Sequence, residues 1–266
     1  MSAAGESDRL PHSIRGLVGF ALSAWFANAP LYLALALFVF AVWTIAEYAL
    51  PLAKLDTPSG ELKVWVLQYA SIFADALVIA AVALGVAARA AGSAAPARRL
   101  AAVAFERWLP VIAVTLLTFT ISFVTAEFSG LGTTPIPRPF IYVTAALTWI
   151  LWGILAVAGP LVALSTTRGA FSVFIGFGRA FAVSLQRDNF VRLCVLGVVV
   201  VLPMVLQTAL FNALTQQHVP RGFYWANAPV DAVTIGPVSA IVTAFALDFA
   251  RRAGLLEEPK PPENGG

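Results

Sequence analysis

Gln68, Ser71 and Asp75 stand at i, i+3 and i+7. That spacing puts an amide, a hydroxyl and a carboxyl on one face of one helix. The surrounding segment is otherwise apolar and long enough to cross a bilayer. Asp75 lies ten residues beyond Trp65, roughly 15 Å along a helix and so near the middle of about 30 Å of hydrocarbon. A carboxyl at that depth is costly and by default points to a ligand, ion or proton site. No Lys or Arg falls at a comparable depth, so its expected company is hydroxyls, water or a proton.

A second stripe comes from Thr115, Thr118, Ser122 and Thr125, at i, i+3, i+7 and i+10. Thr44 and Glu47, Thr144 and Thr148, Gln207 and Asn212, and Ser239 and Thr243 add polar atoms from other apolar segments. Most fall in one half of the membrane, which predicts a polar interior open to that side. The candidate ligand-binding set is Asp75, Ser71, Gln68, Thr118, Ser122 and Gln207. A competing reading is packing, because Ser and Thr bond their own helix carbonyls and polar side chains hold membrane helices together.

Other chemistries lack their residues. The sequence shows no hydrolase elbow, phosphate-binding Walker loop, HExxH motif, kinase set or paired intramembrane aspartates. Gly176-Phe177-Gly178 is not a nucleotide fingerprint, since no βαβ unit surrounds it. Cys194 is the only cysteine, so neither an intrachain disulfide nor a cysteine zinc site can form. His12 and His218 are expected on opposite sides of the membrane, which argues against a histidine metal site. The expectation is a protein that is not an enzyme, with no cofactor and no metal.

The elements that position these residues follow from composition. Of 266 residues, 59% are hydrophobic and only 12% charged, where a soluble domain is about a quarter charged. The predicted fold is an all-α polytopic membrane bundle with six transmembrane helices over about 30–50, 64–88, 109–127, 140–164, 191–214 and 230–250. Residues 1–12 are expected to be loose, 13–254 to form one membrane domain, and 255–266 to be a disordered tail. Arg9 and Arg15, an apolar run and Ala27-Asn28-Ala29 imitate a signal peptide, but Pro30 obstructs cleavage and the segment is expected to be retained. Pro58-Ser59-Gly60 predicts a turn, and Pro160 and Pro203 predict kinks.

Three short basic, amphipathic stretches precede the odd-numbered spans: Ser13 to Asn28, Ala97 to Trp108, and Phe171 to Leu193, the last running into the fifth span. They are predicted to be cytoplasmic interfacial helices. In the third, Phe174, Phe177 and Phe181 are expected in the acyl boundary and Arg179 and Arg187 at the headgroups. Phe20-Ala-Leu-Ser23 with Asn28 matches Phe181-Ala-Val-Ser184 with Asn189 at one offset of 161. A middle unit ending at Trp108-Leu-Pro110 lies near half that offset. These features predict three units of roughly 80 residues, each an interfacial helix and a hairpin.

Thirteen of the 17 Lys and Arg fall on the side of the chain ends and four on the other, so the positive-inside rule puts both termini in the cytoplasm. Basic residues at helix ends predict contact with anionic lipid headgroups and argue against nucleic acid. A protein partner or homo-oligomer is also compatible with the sequence.

The segment STTRGAF, then Arg179-x-Phe181-x-x-Ser184-Leu185, then Asp188-Asn-Phe-x-Arg-Leu193 resembles a bacterial membrane-domain family also found attached to some glycerophosphodiester phosphodiesterases. The resemblance covers about residues 165–215. It implies a six-helix integral membrane domain of the bacterial inner membrane without an assigned reaction. The diesterase barrel, with its metal-binding acids and histidines, is absent. The leading expectation is therefore a non-enzymatic membrane protein that binds lipid or a membrane partner. The alternative is a small transporter or channel with an outward-open polar cavity reaching Asp75.

Overall fold

The structure, a computed structural model, describes residues 10–50, 58–93, 95–126, 138–165 and 170–255. Eight α-helices follow in order: α1 Ile14–Ala27, α2 Ala29–Ala49, α3 Pro58–Ala90, α4 Ala97–Ala126, α5 Arg138–Leu164, α6 Ala170–Ser184, α7 Phe190–Gln216 and α8 Gly222–Arg252. Among the described residues there is no strand. Six of the helices, α2 to α5, α7 and α8, are long and apolar enough to cross a membrane. The chain is an all-α, multi-pass membrane bundle.

The helices sort into two rings. α3, α5 and α8, the second helix of each hairpin, pack on one another and are mostly buried. α2, α4 and α7, the first helix of each hairpin, lie outside them. Each outer helix packs on its own hairpin partner and on the inner helix of the preceding unit, so that α2 touches α3 and α8, α4 touches α5 and α3, and α7 touches α8 and α5. Composition explains the sorting. The inner part of α3 is rich in Ala and small β-branched residues (Ala74, Ala76, Val78, Ala80, Ala81, Val82 and Ala83 are all buried), which lets helices approach closely. The outer helices turn Leu33, Leu37 and Ile45 of α2 and Val198, Leu202 and Val205 of α7 outward, to where lipid would lie.

Glycine sets the closest crossing. A Cβ on Gly197 of α7 would stand 2.8 Å from the Trp149 carbonyl oxygen of α5, and one on Gly153 would meet the Leu193 carbonyl oxygen at 3.2 Å. Neither position has room for a side chain.

The segment entering α1 and the end of α8 are held together at one side. Asp248, fully buried, pairs with Arg192 of α7 at 2.9 Å, with Arg252 at 2.9 Å and with Arg251. Arg251 also donates to the carbonyls of Leu10 at 2.7 Å and Pro11 at 3.2 Å, and Arg192 donates to that of His12 at 2.6 Å. The acid thus gathers three guanidinium groups, which in turn hold the segment entering α1. On the far side, the buried Glu47 pairs with Lys63 at 2.6 Å and Arg221 at 3.2 Å, tying α2, α3 and the start of α8 together.

Several expectations need correction. Ala97 to Trp108 is no separate helix but the first part of α4. Its run of Ala, Arg and Leu contains no breaker before Pro110, and no Asn stands there to make a joint. At the other two joints one does: Asn28 ends α1 and begins α2, and the Asn189 side chain, in the 3-10 turn before α7, donates back to the Val183 carbonyl at 2.8 Å. Pro58, Ser59 and Gly60 open α3 rather than forming a turn, proline being suited to a first helical turn. The sixth span begins at Gly222, not near Val230, because α8 runs through Pro229. The loop of residues 127–137, the turn of residues 166–169 and the tail from residue 256 lie outside the described residues.

In α6, Phe171, Phe174 and Arg179 are exposed, as is Arg187 in the 3-10 turn that follows. Phe177 and Phe181 do not share that aspect. Their rings, 5.2 Å apart, pack on the cluster of Trp152, Leu155 and Val201. The reason is that α6 docks by its small residues. Ser172, Gly176 and Ala180 are buried, and a Cβ on Gly176 would collide with Val162 of α5. That docking rotates the aromatic stripe until half of it meets the bundle.

Candidate functional site

All six long helices contribute to a cavity of about 360 Å³. α3 supplies Gln68, Ser71 and Asp75, the face that the i, i+3, i+7 spacing creates. α4 supplies Thr115, Thr118, Phe119 and Ser122, and α7 supplies Gln207. The six candidate residues Asp75, Ser71, Gln68, Thr118, Ser122 and Gln207 therefore line one space. Thr125 lies one turn beyond Ser122, outside the lining, where its hydroxyl accepts from Trp152 Nε1 at 3.1 Å. The lining positions fall mostly in the half of the bundle remote from the chain ends. Toward the chain ends the wall becomes apolar, with Ile79, Ala156, Val200 and Ile235.

Three residues escaped the sequence reading: Asp231, Asn227 and Trp43. Asp231 stands second in the span expected over about 230–250. Because α8 starts at Gly222, Asp231 is nine residues inside the helix, roughly 13 Å. It lines the same cavity as Asp75, so the bundle does hold a pair of intramembrane aspartates. A signal was available: Asn227, Asp231 and Ile235 recur every four residues along one helix face, but Pro220 and Pro229 suggested a loop.

The two acids have different surroundings. Asp231 accepts a hydrogen bond from Trp43 Nε1 at 2.8 Å. Asp75 is 9% exposed, and its Oδ1 accepts no hydrogen bond from the protein. The Thr118 hydroxyl gives its proton to the Thr115 carbonyl at 3.0 Å, while the Ser71 hydroxyl stands within hydrogen-bonding reach of both the Gln68 carbonyl, at 2.9 Å, and the Asp75 carboxyl. Packing thus uses the Thr118 donor and leaves that hydroxyl's acceptor lone pairs. Among the described residues no group of three His, Cys, Asp or Glu is placed to hold a metal ion.

Glu47 stands one turn beyond Trp43 on α2, so its ion cluster with Lys63 and Arg221 lies to the far side of the cavity. Arg221 also stacks over the Tyr48 ring at 4.3 Å, a cation–π contact that fixes the start of α8.

Comparison with protein-family models, with curated proteins and with solved structures finds no match. The site must be read from its own geometry.

Proposed function

We propose that this protein binds a small polar solute within the bilayer and belongs to the transporter class rather than to the enzymes. The observation that carries the reading is the cavity of about 360 Å³ whose wall includes Asp75, a buried acid with an unpartnered carboxyl oxygen. A purely structural acid would be expected to resemble Asp248, with its charge partners around it. Cavities of a few hundred Å³ with a few converging polar groups are the usual form of a small-molecule site. The excess of Lys and Arg on the side of the chain ends supports placing that side in the cytoplasm of a bacterial inner membrane, with the polar half of the cavity toward the outside.

A cysteine replacing Ser122 or Asn227 in a Cys194→Ala background tests this reading. In proteoliposomes it should react with a small water-soluble thiosulfonate at a rate within about tenfold of one at the exposed Gln217. Unreactive cysteines at both cavity positions, with Gln217→Cys reactive, would mean a closed interior and no solute site.

A second reading, lipid or partner binding, is favoured by one feature. Phe171, Phe174 and Arg179 of α6, with Arg187 of the turn after it, form an exposed aromatic and basic surface, suited to an anionic lipid interface. The two readings are compatible, since the exposed residues of α6 do not line the cavity, although Phe177 and Phe181 pack behind its wall on Trp152 and Leu155.

A further inference from the structure

We propose that the solute of this cavity is a small organic cation, an amine with an apolar body, and that Asp75 is its charge partner. The inference rests on the solute-binding reading above and adds the chemical class.

Charge comes first. The wall carries two carboxyls, Asp75 and Asp231, and no Lys, Arg or His. A pair of acids in a low-dielectric space favours a positive guest over a neutral or negative one.

Hydrogen bonding points the same way. Of the donors in the wall, the Thr118 hydroxyl is committed to a helix carbonyl, the Trp43 indole to Asp231, and one Asn227 amide hydrogen to the Phe223 carbonyl at 2.7 Å. Two buried polar atoms of the wall have no partner, the Thr115 hydroxyl and Asp75 Oδ1, and the second acts solely as an acceptor when ionised. A guest that brings donors and charge together satisfies this wall, and an ammonium group has three donors and no acceptor. Because Trp43 already serves Asp231, Asp75 is the acid that remains to be matched, and Asp231 adds negative potential beside it.

Size and shape exclude a bare ion. The space is far larger than one dehydrated cation, and no third acid, His or Cys completes a metal set among the described residues. The rest of the wall is aromatic and aliphatic, including Phe119, Trp152 and Leu155. Aromatic faces attract cations, and the aliphatic wall accepts an apolar body.

The test uses the full chain in lipid nanodiscs with tritiated phenethylamine as the probe, and 2-phenylethanol and phenylacetate as competitors of the same body. The amine should bind saturably, and each competitor should be at least tenfold weaker. Asp75→Asn should weaken the amine at least tenfold while Asp75→Glu retains part of the affinity. Ser239→Ala, away from the cavity, should change nothing. Should Asp75→Asn fail to fold, carbodiimide labelling of Asp75 in the unaltered protein gives the same answer, with protection expected from the amine and not from the alcohol. Equal binding of amine and alcohol, with Asp75→Asn unaffected, would overturn the cation class and leave the solute site standing. Absence of amine binding or protection in a protein whose Ser122→Cys form is reactive would also overturn it. If Ser122→Cys and Asn227→Cys are both unreactive, the solute site itself fails, which separates the two outcomes.

Discussion

A carboxyl placed among apolar helices is stabilised by its neighbours or carries a cost, and three acids in this bundle are treated in different ways. Asp248 gathers Arg192, Arg251 and Arg252, and Glu47 gathers Lys63 and Arg221. Asp75 has an open carboxyl oxygen in a cavity that a second acid also lines. Opposite responses to the same substitution follow. Asp248→Leu leaves three guanidinium groups facing an apolar side chain, and losing one partner of a buried pair costs about 3–5 kcal/mol. The partial exposure of the arginines puts the expected loss at the lower end. Asp75→Leu removes a buried polar group without a full set of partners, so stability should be unchanged or higher. Thermal unfolding of both variants in one detergent checks this, and an equal loss at the two sites would contradict it. Asp75 was legible in the sequence because it stands alone in a long apolar run with Gln68 and Ser71 on its face. Asp231 was not, because its depth depends on where α8 begins, and the aromatic and proline residues before it look like a loop until Tyr224 is seen to be buried with its hydroxyl 2.8 Å from that of Thr44.

At the scale of elements, periodicity located every long helix but could not say which face of a short one meets protein. α6 shows why. Its aromatic stripe is the conspicuous pattern, yet the smaller face of Ser172, Gly176 and Ala180 makes the contact, because close approach needs small side chains rather than large ones. The rings therefore divide in role. Phe177→Ala should cost about 2 kcal/mol, less than the 3–5 of a fully buried ring, since it leaves a gap over Trp152 and Val201. Phe174→Ala should leave unfolding in detergent within about 0.5 kcal/mol of the parent, as expected of an exposed position. Similar losses at both positions would mean that the stripe is buried as a whole. The α5–α7 crossing gives a sharper case. Gly197→Val would drive a side chain into the Trp149 carbonyl, and overpacking typically costs 1–3 kcal/mol. Gly19→Val, where nothing stands near the added group, is the control on a helix of similar exposure, and parity between the two would remove the close crossing.

For the whole molecule, the hairpin arrangement explains why all six long helices reach the cavity that holds Asp75. Three hairpins arranged so that each outer helix bridges two inner ones bring α3, α5 and α8 together. Polar residues on α3 and α8 then converge without any hairpin holding a site of its own. The sequence carried this plan in the matched letters around Ser23 and Ser184 and in the joint residues Asn28 and Asn189. It hid the middle unit, whose joint is missing and whose short helix has merged into α4.

The same plan fixes the segment entering α1 and the end of α8 on one side, through Arg251 and the Leu10 and Pro11 carbonyls, but only the charge distribution says which side of the membrane that is. By sequence order, thirteen of the 17 basic residues are expected on the side of the chain ends, and on the positive-inside rule such an asymmetry predicts that side to be cytoplasmic. Single cysteines in a Cys194→Ala background convert this into a measurement. Ser59 and Gln217 are exposed at the far side, and Ser93 and Asp188 are exposed at the side of the chain ends. Ser172 would be a poor reporter, since it is 1% exposed and its silence would say nothing about sidedness. With intact cells, an impermeant maleimide should label Ser59→Cys and Gln217→Cys and leave Ser93→Cys and Asp188→Cys unlabelled until the membrane is opened. The reverse pattern would keep the bundle and the cavity as they are but turn the mouth beside Gln68 and Asn227 toward the cytoplasm. The cation would then be one met inside the cell, and the excess of arginine at the chain ends would need another origin. Labelling of both sets from outside would be incompatible with the Asp248 cluster and the Glu47 cluster lying at opposite ends of the same helices.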